Sequence, residues 1–240
     1  MYDKLINHLV SKYILYPSII PCLIDSNCAS RPNKVVKYAL DLYYKYRRIL
    51  DKKNKDYYIL KCDIKSYFSS INIDILKRKI KTRIKDIDSL NIINKILDSD
   101  DVLSIGFMSS QILSIFYLND LDYYIKEKLK IRYYVRYQDD FLLFHQSKEY
   151  LKYCLNEIKV FLEKEKLTLN RKTRIYKNTN NFIFLGHDKN GRYSKYRKVK
   201  RDIRKKIYLY NNKKISLMSL TSSVNCYRNL CNRKFSIVKK

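Results

Sequence analysis

The chain has 240 residues, of which 46% are apolar, so it can bury a core and disorder is a poor description of it. Lys and Arg number 51 against 23 acidic residues, a formal net charge of +28. That excess favours a polyanionic partner, either nucleic acid or an anionic membrane surface. The 24 tyrosines, interleaved with the basic residues, favour nucleic acid, because aromatic rings stack on bases while cations bind phosphates.

Membrane and secretion signals are missing from the sequence. No apolar run approaches the roughly 20 residues that span a bilayer, and the first residues lack the apolar core of a signal peptide. The six cysteines form no C-x-x-C pair and have no histidine at zinc spacing. We therefore predict reduced thiols in a cytoplasmic protein with no membrane partner.

The first half of the chain predicts a helix, a strand and two more helices. Residues 35–50 have helical periodicity with a basic face. Residues 57–62 (YYILKC) form an apolar run that predicts a buried strand ending at Asp63. Helical patterns follow at about 73–84 and 88–98.

The middle of the chain predicts a long helix and then a hairpin. The helical pattern covers residues 110–130. Two apolar segments, 131–137 and 141–144, are separated by a short break at Gln138 and Asp139, which predicts two antiparallel strands joined by a tight acidic turn.

The last third predicts an amphipathic helix, a short strand and a basic helical tail. These cover residues 148–166, 182–186 and 197–240, with a loop near Asn211 in the tail. The order of elements predicts an α+β fold in which helices back an antiparallel sheet.

Three aspartates stand at the ends of these apolar strands. Asp63 closes the first strand, and Asp139 and Asp140 lie at the tip of the hairpin. Nucleotidyl transfer uses two Mg²⁺ ions about 3.5–4 Å apart, held by hard carboxylate oxygens. If the strands are neighbours, the three carboxylates meet that need. Taken alone, a D-D pair is also typical of a surface turn, and an aspartate after a strand is also typical of a helix cap.

Several segments resemble, in family order, the motifs of reverse transcriptases from bacterial retroelements of the group II intron and diversity-generating types. They are DSNCASRPNK (25–34), DIKSYFSSI (63–71), VLSIGFMSSQILSIFYLNDLD (102–122), YQDD (137–140), LTLNRKT (167–173) and FLG (184–186). The resemblance implies a right-hand polymerase with partial fingers at 1–56, a palm at 57–187 that carries a fingers insertion at about 73–100, and a basic helical thumb at 188–240.

The resemblance also implies a set of catalytic residues. Asp63, Ile64, Asp139 and Asp140 would form the metal site for two Mg²⁺ ions, with Mn²⁺ able to substitute. Lys172 would donate a proton to the leaving pyrophosphate.

Further residues would bind the dNTP. Arg31 and Lys34 would bind the triphosphate, although a solvated loop is the alternative. Phe68 would exclude a ribose 2′ hydroxyl, the alternative being an ordinary core aromatic. Its neighbour Tyr67 is expected in the core, since adjacent residues on a strand face opposite ways. The remaining nucleotide-binding positions are Gly106, Ser110 and Gln111.

The implied partners are an RNA template and a DNA primer or hybrid duplex, with room for an accessory protein or a structured RNA. Primer and template would contact the hairpin, the FLG segment and the tail, at Tyr137, Gln138, Phe184, Leu185, Gly186, Lys198, Lys200 and Arg201.

The sequence departs from the family pattern in its nucleotide-binding loops. Asn33 and Val35 stand where relatives often have glycine, and Val102 and Ser104 replace a G-x-P opening. Gln138 replaces a small or apolar residue. Lost glycines matter because only glycine lets a backbone approach a ligand closely at little cost.

Three functions therefore compete. The first is an RNA-directed DNA polymerase. The second is a nucleic-acid-binding protein that keeps the fold without turnover, which the missing glycines favour. The third is an RNA-dependent RNA polymerase, against which Phe68 argues. A membrane-surface protein ranks last, because the basic helices lack a strong apolar opposite face.

Overall fold

A computed structural model describes residues 2–53, 56–99, 102–104 and 106–231. The chain divides into two compact units, Met1–Asn180 and Asn181–Lys240. The first unit carries the sheet and most of the helices, and the second is helical. Each is described by itself.

Polar side chains cap several helices of the first unit. Asn72, Asp86 and Ser147 each accept a hydrogen bond from a backbone N–H in the first turn of the helix that follows. The helices are α1 (Tyr2–Val10), a π-helical segment (Ser11–Leu15), α2 (Tyr16–Ile19), a 3₁₀ turn (Ile20–Cys22), α3 (Val36–Lys53), α4 (Tyr67–Ser70), α5 (Ile73–Arg83), α6 (Ile87–Leu97), α7 (Met108–Tyr117), α8 (Asn119–Tyr123), a second π-helical segment (Tyr124–Lys128) and α9 (Lys148–Lys164).

An antiparallel sheet of four strands lies at the centre of this unit. Its order is β2-β3-β1-β4. The strands are β1 (Tyr58–Asp63), β2 (Tyr133–Tyr137), β3 (Asp140–His145) and β4 (Arg174–Lys177). The hairpin and the strand that ends at Asp63 are confirmed, and β1 is the direct neighbour of β3.

The two faces of the sheet pack against different helices. Leu60, Cys62 and Leu143 belong to the main core, which also contains buried residues of α7 and α9. On the opposite face, α3 covers one end of the sheet through Tyr43 and Tyr46, whose rings pack on Phe144. Because side chains alternate along a strand, the polar residues near the end of β1 share this second face.

Three features of the described residues differ from the sequence predictions. The predicted helix 110–130 is broken after α7 at Leu118, where the backbone (φ −91°, ψ 8°) leaves helical geometry. The predicted strand at 182–186 is only an isolated bridge between Phe184 and His187. The fourth strand of the sheet is instead β4, which no apolar pattern in the sequence predicts.

The second unit is a pair of helices with a small core of its own. Helices α10 (Tyr196–Asn211) and α11 (Leu217–Cys231) pack through Val199, Ile203, Leu220 and Val224. The predicted basic helical tail with a loop near Asn211 is confirmed for the described residues. Residues 232–240 of that prediction lie outside them.

The cysteine and membrane predictions concern the whole chain. Cys28, Cys62 and Cys154 are buried, and these three, Cys22 and the exposed Cys226 are free thiols. Within the ranges described above, no helix is both long enough and apolar enough to cross a bilayer.

Candidate active site

The three predicted aspartates meet at one end of the sheet. Asp63, the last residue of β1, pairs directly with Asp140, the first residue of β3. Asp139 precedes Asp140 in the turn of the β2–β3 hairpin, where Gln138 takes a left-handed conformation (φ 56°). Directly opposed residues of an antiparallel pair point to the same face, so Asp63 and Asp140 are neighbours.

Lys61, which the sequence motifs did not predict as a site residue, completes this cluster. Its Nζ lies 2.7 Å from both carboxylate oxygens of Asp140. The side chains are only 18% and 21% exposed. A basic residue two positions before Asp63 in the YYILKC run was the signal available, since residues i and i+2 of a strand share a face.

The carboxylates influence one another electrostatically. Burial raises the pKa of Asp140 to about 6; Lys61 opposes the shift, and the charges of Asp63 and Asp139 add to it. Burial also raises the pKa of Asp139, with a further contribution from the charge of Asp63. Burial disfavours the charged form of both carboxylates, and a bound cation would stabilise that form.

The donor set at this end of the sheet fits Mg²⁺. In the part of the chain that the structure describes, no three His, Cys, Asp or Glu side chains converge into a ready-made cage. Mg²⁺ does not need one, because it is usually held by one or two carboxylates together with substrate phosphates and water. Asp63 and Asp139, with the backbone carbonyl of Ile64 next to Asp63, are oxygen donors of that kind.

Gln138 ties the hairpin turn to two other elements. Its Nε2 donates to Ser30 Oγ (2.9 Å), and its Oε1 lies 2.9 Å from Ser114 Oγ on α7. Ser30 Oγ is also 3.4 Å from Gln111 Oε1. The structure therefore brings the predicted residues Gln138 and Gln111 together through Ser30.

A buried ion pair contacts the backbone of the same hairpin turn. Arg136 and Asp122 are both fully buried, and the guanidinium binds the carboxylate through two hydrogen bonds of 2.7 and 2.5 Å. Arg136 also donates to the carbonyls of Ile115 (3.0 Å) and Gln138 (2.9 Å). The backbone of the hairpin turn is thus fixed to the α7–α8 region.

Residues 26–28 form hydrogen bonds to both members of this ion pair. The backbone N–H of Arg136 donates to Ser26 O, and Cys28 N–H donates to Arg136 O, both at 2.9 Å. Asn27 Nδ2 donates to Asp122 Oδ2 at 3.3 Å. Residues 26–28 therefore extend the sheet beside β2.

The two predicted triphosphate ligands bind within their own loop. Arg31 Nη1 donates to the carbonyls of Ile24 (2.6 Å) and Asn27 (3.0 Å). Lys34 Nζ forms an ion pair with the Asp25 carboxylate and donates to the Asp25 carbonyl at 2.6 Å. Both cations stabilise the conformation of residues 24–34.

Phe68 and Tyr67 lie on α4, a single helical turn, so the expectation that this segment continues a strand was wrong. Tyr67 is nevertheless buried as expected, and its hydroxyl donates to Ser114 O at 2.6 Å. Phe68 is half-buried and packs at the edge of the main core. Its partial exposure is compatible with contact to a ribose.

Three more predicted residues lie in the first unit. Gly106 has φ 105°, and a Cβ built there meets no atom within 4 Å, so the space beside it is open. Ser110 is buried on α7. Lys172 is exposed in the turn before β4; just upstream, Asn170 N–H donates to Asp63 O at 2.7 Å. The 167–173 segment therefore runs beside Asp63.

The remaining predicted residues belong to the second unit. Phe184 is fully buried, Leu185 has φ 48° and Gly186 has φ 81°. A Cβ on Gly186 would lie 2.7 Å from the ring of Tyr193. On α10 the exposed predicted residues are Lys198, Lys200 and Arg201.

Comparison with known protein families shows which family has this sequence pattern. Residues 1–188 match the family model described as reverse transcriptase (RNA-dependent DNA polymerase). The chain belongs to the reverse transcriptase family. Among curated proteins no match was found.

Two solved structures share the reverse transcriptase fold seen here. The apo telomerase of Candida tropicalis, truncated from its C-terminal domain, is 20% identical with a TM-score of 0.52, covering 76% of this chain and 41% of that one. The telomerase of the same yeast in complex with a fragment of telomeric RNA is 18% identical with a TM-score of 0.50, covering 76% and 34%. At these identities the similarity concerns the fold alone, and this chain spans less than half the length of either protein.

Proposed function

We propose that this reverse transcriptase domain is an RNA-directed DNA polymerase that extends a primer on an RNA template with dNTPs. The observation that carries the proposal is the register of β1 and β3. It places Asp63 opposite Asp140, with Asp139 in the adjoining turn, at one end of a sheet that is otherwise largely apolar. Acidic side chains at such a position need a cation or a donor to be stable.

Different residues of the chain would have different roles in nucleotidyl transfer. Asp63, Asp139 and the Ile64 carbonyl would hold two Mg²⁺ ions, or Mn²⁺ in their place. Bound there, the ions would activate the primer 3′ hydroxyl and neutralise charge on the leaving pyrophosphate. Phe68 limits the space at the ribose 2′ position. Lys172, two residues after Asn170, would protonate the pyrophosphate.

The nucleic acid is held by charge and by shape. The basic face of α10, with Lys198, Lys200 and Arg201, suits backbone phosphates in a manner that carries no sequence information. An A-form hybrid is recognised in the same way, through backbone and groove geometry. The RNA-bound telomerase among the similar folds supports an RNA-containing partner. The bacterial-retroelement branch, an accessory protein or structured RNA and a cytoplasmic location remain predictions.

Primer extension on an RNA template tests the proposal. We expect Mg²⁺-dependent extension of a labelled DNA primer by the wild type, and loss of extension in Asp139→Ala. Asp41→Ala, at an exposed position on α3, is the matched control and should extend normally. Extension that survives Asp139→Ala would contradict the proposal.

A nucleic-acid-binding protein without turnover is the second candidate. It is favoured by the engagement of Arg31 and Lys34 within their own loop and by Asn33, which takes φ 61° where relatives often carry glycine. Such a protein would bind an RNA–DNA hybrid with strong salt dependence and incorporate nothing. Any templated incorporation by the purified wild type excludes it. Template-directed incorporation of rNTPs in preference to dNTPs would instead indicate the RNA polymerase.

A further inference from the structure

Lys61 holds Asp140 in the way that a metal ion would. Its Nζ is equidistant from the two carboxylate oxygens, at 2.7 Å each, so a single cation engages both. Lys61 and Asp63 are two residues apart on β1, and Asp63 is paired with Asp140. The ammonium group therefore lies at the carboxylate cluster itself, on the face that carries the proposed metal ligands.

The Lys61–Asp140 pair is partly shielded from solvent, so its charges act strongly on a nearby cation. With side chains 18% and 21% exposed, Lys61 and Asp140 are much less screened than the surface pair of Lys177 and Asp56, which is 42% and 61% exposed. A charge fixed a few ångströms from a cation site changes the affinity of that site for divalent ions strongly when water is partly excluded.

We infer that Lys61 is a positioning residue that serves as a built-in counter-cation for Asp140, keeping the bare protein's affinity for divalent ions low. Lys61 neutralises one carboxylate of the cluster and repels a second cation. Divalent ions then bind well only together with a nucleoside triphosphate, whose phosphate oxygens complete their coordination. The inference rests on the proposed function, since it assumes that this cluster receives metal-bound triphosphate.

The direction of the effect separates this role from a purely structural one. If Lys61 merely stabilises the fold or orients a metal ligand, its removal leaves divalent-ion binding unchanged or weaker. If Lys61 is a counter-cation, its removal exposes three mutually repelling carboxylates and strengthens binding. Lys61→Met removes the charge while keeping most of the side-chain volume, and Lys61→Arg keeps the charge.

The test is a Mn²⁺ titration followed by the electron paramagnetic resonance signal of the free ion, with full-length protein and no nucleotide. We expect Lys61→Met to bind Mn²⁺ roughly tenfold more tightly than wild type. Lys61→Arg and the control Lys177→Met, on the same sheet at the surface pair, should match wild type. With a non-hydrolysable dNTP analogue and primer–template present, the gap between Lys61→Met and wild type should narrow. Equal or weaker Mn²⁺ binding by Lys61→Met overturns the inference.

Folding of the variant is checked independently. Circular dichroism in a chelator reports whether Lys61→Met retains its structure. The double variant Lys61→Met/Asp140→Asn also removes the carboxylate that Lys61 neutralises. We expect its Mn²⁺ affinity to return to the wild-type level. A double variant that binds Mn²⁺ as tightly as Lys61→Met contradicts the inference. Absence of primer extension by wild type would refute the proposed function, whereas the Mn²⁺ titration is readable whether or not the protein polymerises.

Discussion

Replacing Arg136 with methionine tests how the Y-Q-D-D turn is held. The substitution removes the guanidinium from a pair in which both side chains have no solvent exposure. Among the described residues, it leaves the buried Asp122 carboxylate with two side-chain donors, Tyr134 Oη (2.7 Å) and Asn27 Nδ2 (3.3 Å). It also removes a donor from the carbonyls of Ile115 and Gln138.

The magnitude follows from these contacts. Breaking one side of a buried ion pair costs about 3–5 kcal/mol, because a charge remains without its partner. Each carbonyl that loses its donor adds about 1 kcal/mol. We therefore expect Arg136→Met to lower the free energy of unfolding by about 5–7 kcal/mol, a large part of the roughly 5–15 kcal/mol typical of a domain. Any protein that folds should incorporate dNTPs poorly, because the Gln138 carbonyl is no longer fixed.

A double-mutant cycle, measured by urea unfolding with circular dichroism, isolates the pair. Adding Asp122→Leu to Arg136→Met removes the stranded charge, so the double variant should be more stable than Arg136→Met alone. Lys177→Met, in the exposed pair with Asp56, is the control and should change stability by less than about 1 kcal/mol. If the losses in the free energy of unfolding from Arg136→Met and Asp122→Leu simply add in the double variant, the reasoning is refuted.

Three further predictions concern single side chains. Without Mg²⁺, the stability of Asp140→Asn relative to wild type should rise by about 3 kcal/mol as the pH increases from about 4 to 6 and should stay level outside that range, because the pKa of Asp140 is raised to about 6 from 3.8; pH-dependent unfolding measures this change. Gly186→Ala should lower the thermal midpoint more than Gly106→Ala, because both have positive φ but only the first meets a ring, that of Tyr193. Phe68→Ala should raise the ratio of rNTP to dNTP incorporation in single-nucleotide kinetics.

Each of these has a result that would count against it. A stability difference between Asp140→Asn and wild type that does not depend on pH would mean that the Asp140 charge is not the cause. Equal midpoints for the two glycine variants would show that the Tyr193 ring moves aside freely. An unchanged rNTP to dNTP ratio would place Phe68 in the core rather than at the ribose.

The sequence predicted the centre of the site because its signals are local. An apolar run ending at Asp63 and two apolar runs around the acidic turn specify β1, β2 and β3 by burial alone. The metal-site prediction required the Asp63 strand and the hairpin to be neighbours. They are neighbours, because Asp63 of β1 pairs with Asp140 of β3. The roles of individual nucleotide-binding residues remain predictions.

The missed features depend on contacts that sequence patterns do not encode. Strand β4 is four residues, R-I-Y-K, with no apolar run, so its pairing with β1 rather than burial makes it a strand. The break occurs at Leu118, and no glycine or proline stands near it, so the sequence carries no signal for it. The contacts of Lys61 and Gln138 require the strand register, the rotamers and the position of Ser30, none of which a single sequence shows.

Single-nucleotide incorporation by the Asp63→Asn variant tests the central claim most directly. The assay supplies an RNA template of known sequence, an annealed DNA primer, Mg²⁺ and one dNTP at a time. The account predicts that wild type adds only the complementary dNTP and that Asp63→Asn, whose side chain is nearly the same size, adds none while still binding the hybrid. Incorporation by Asp63→Asn at the wild-type rate would contradict it.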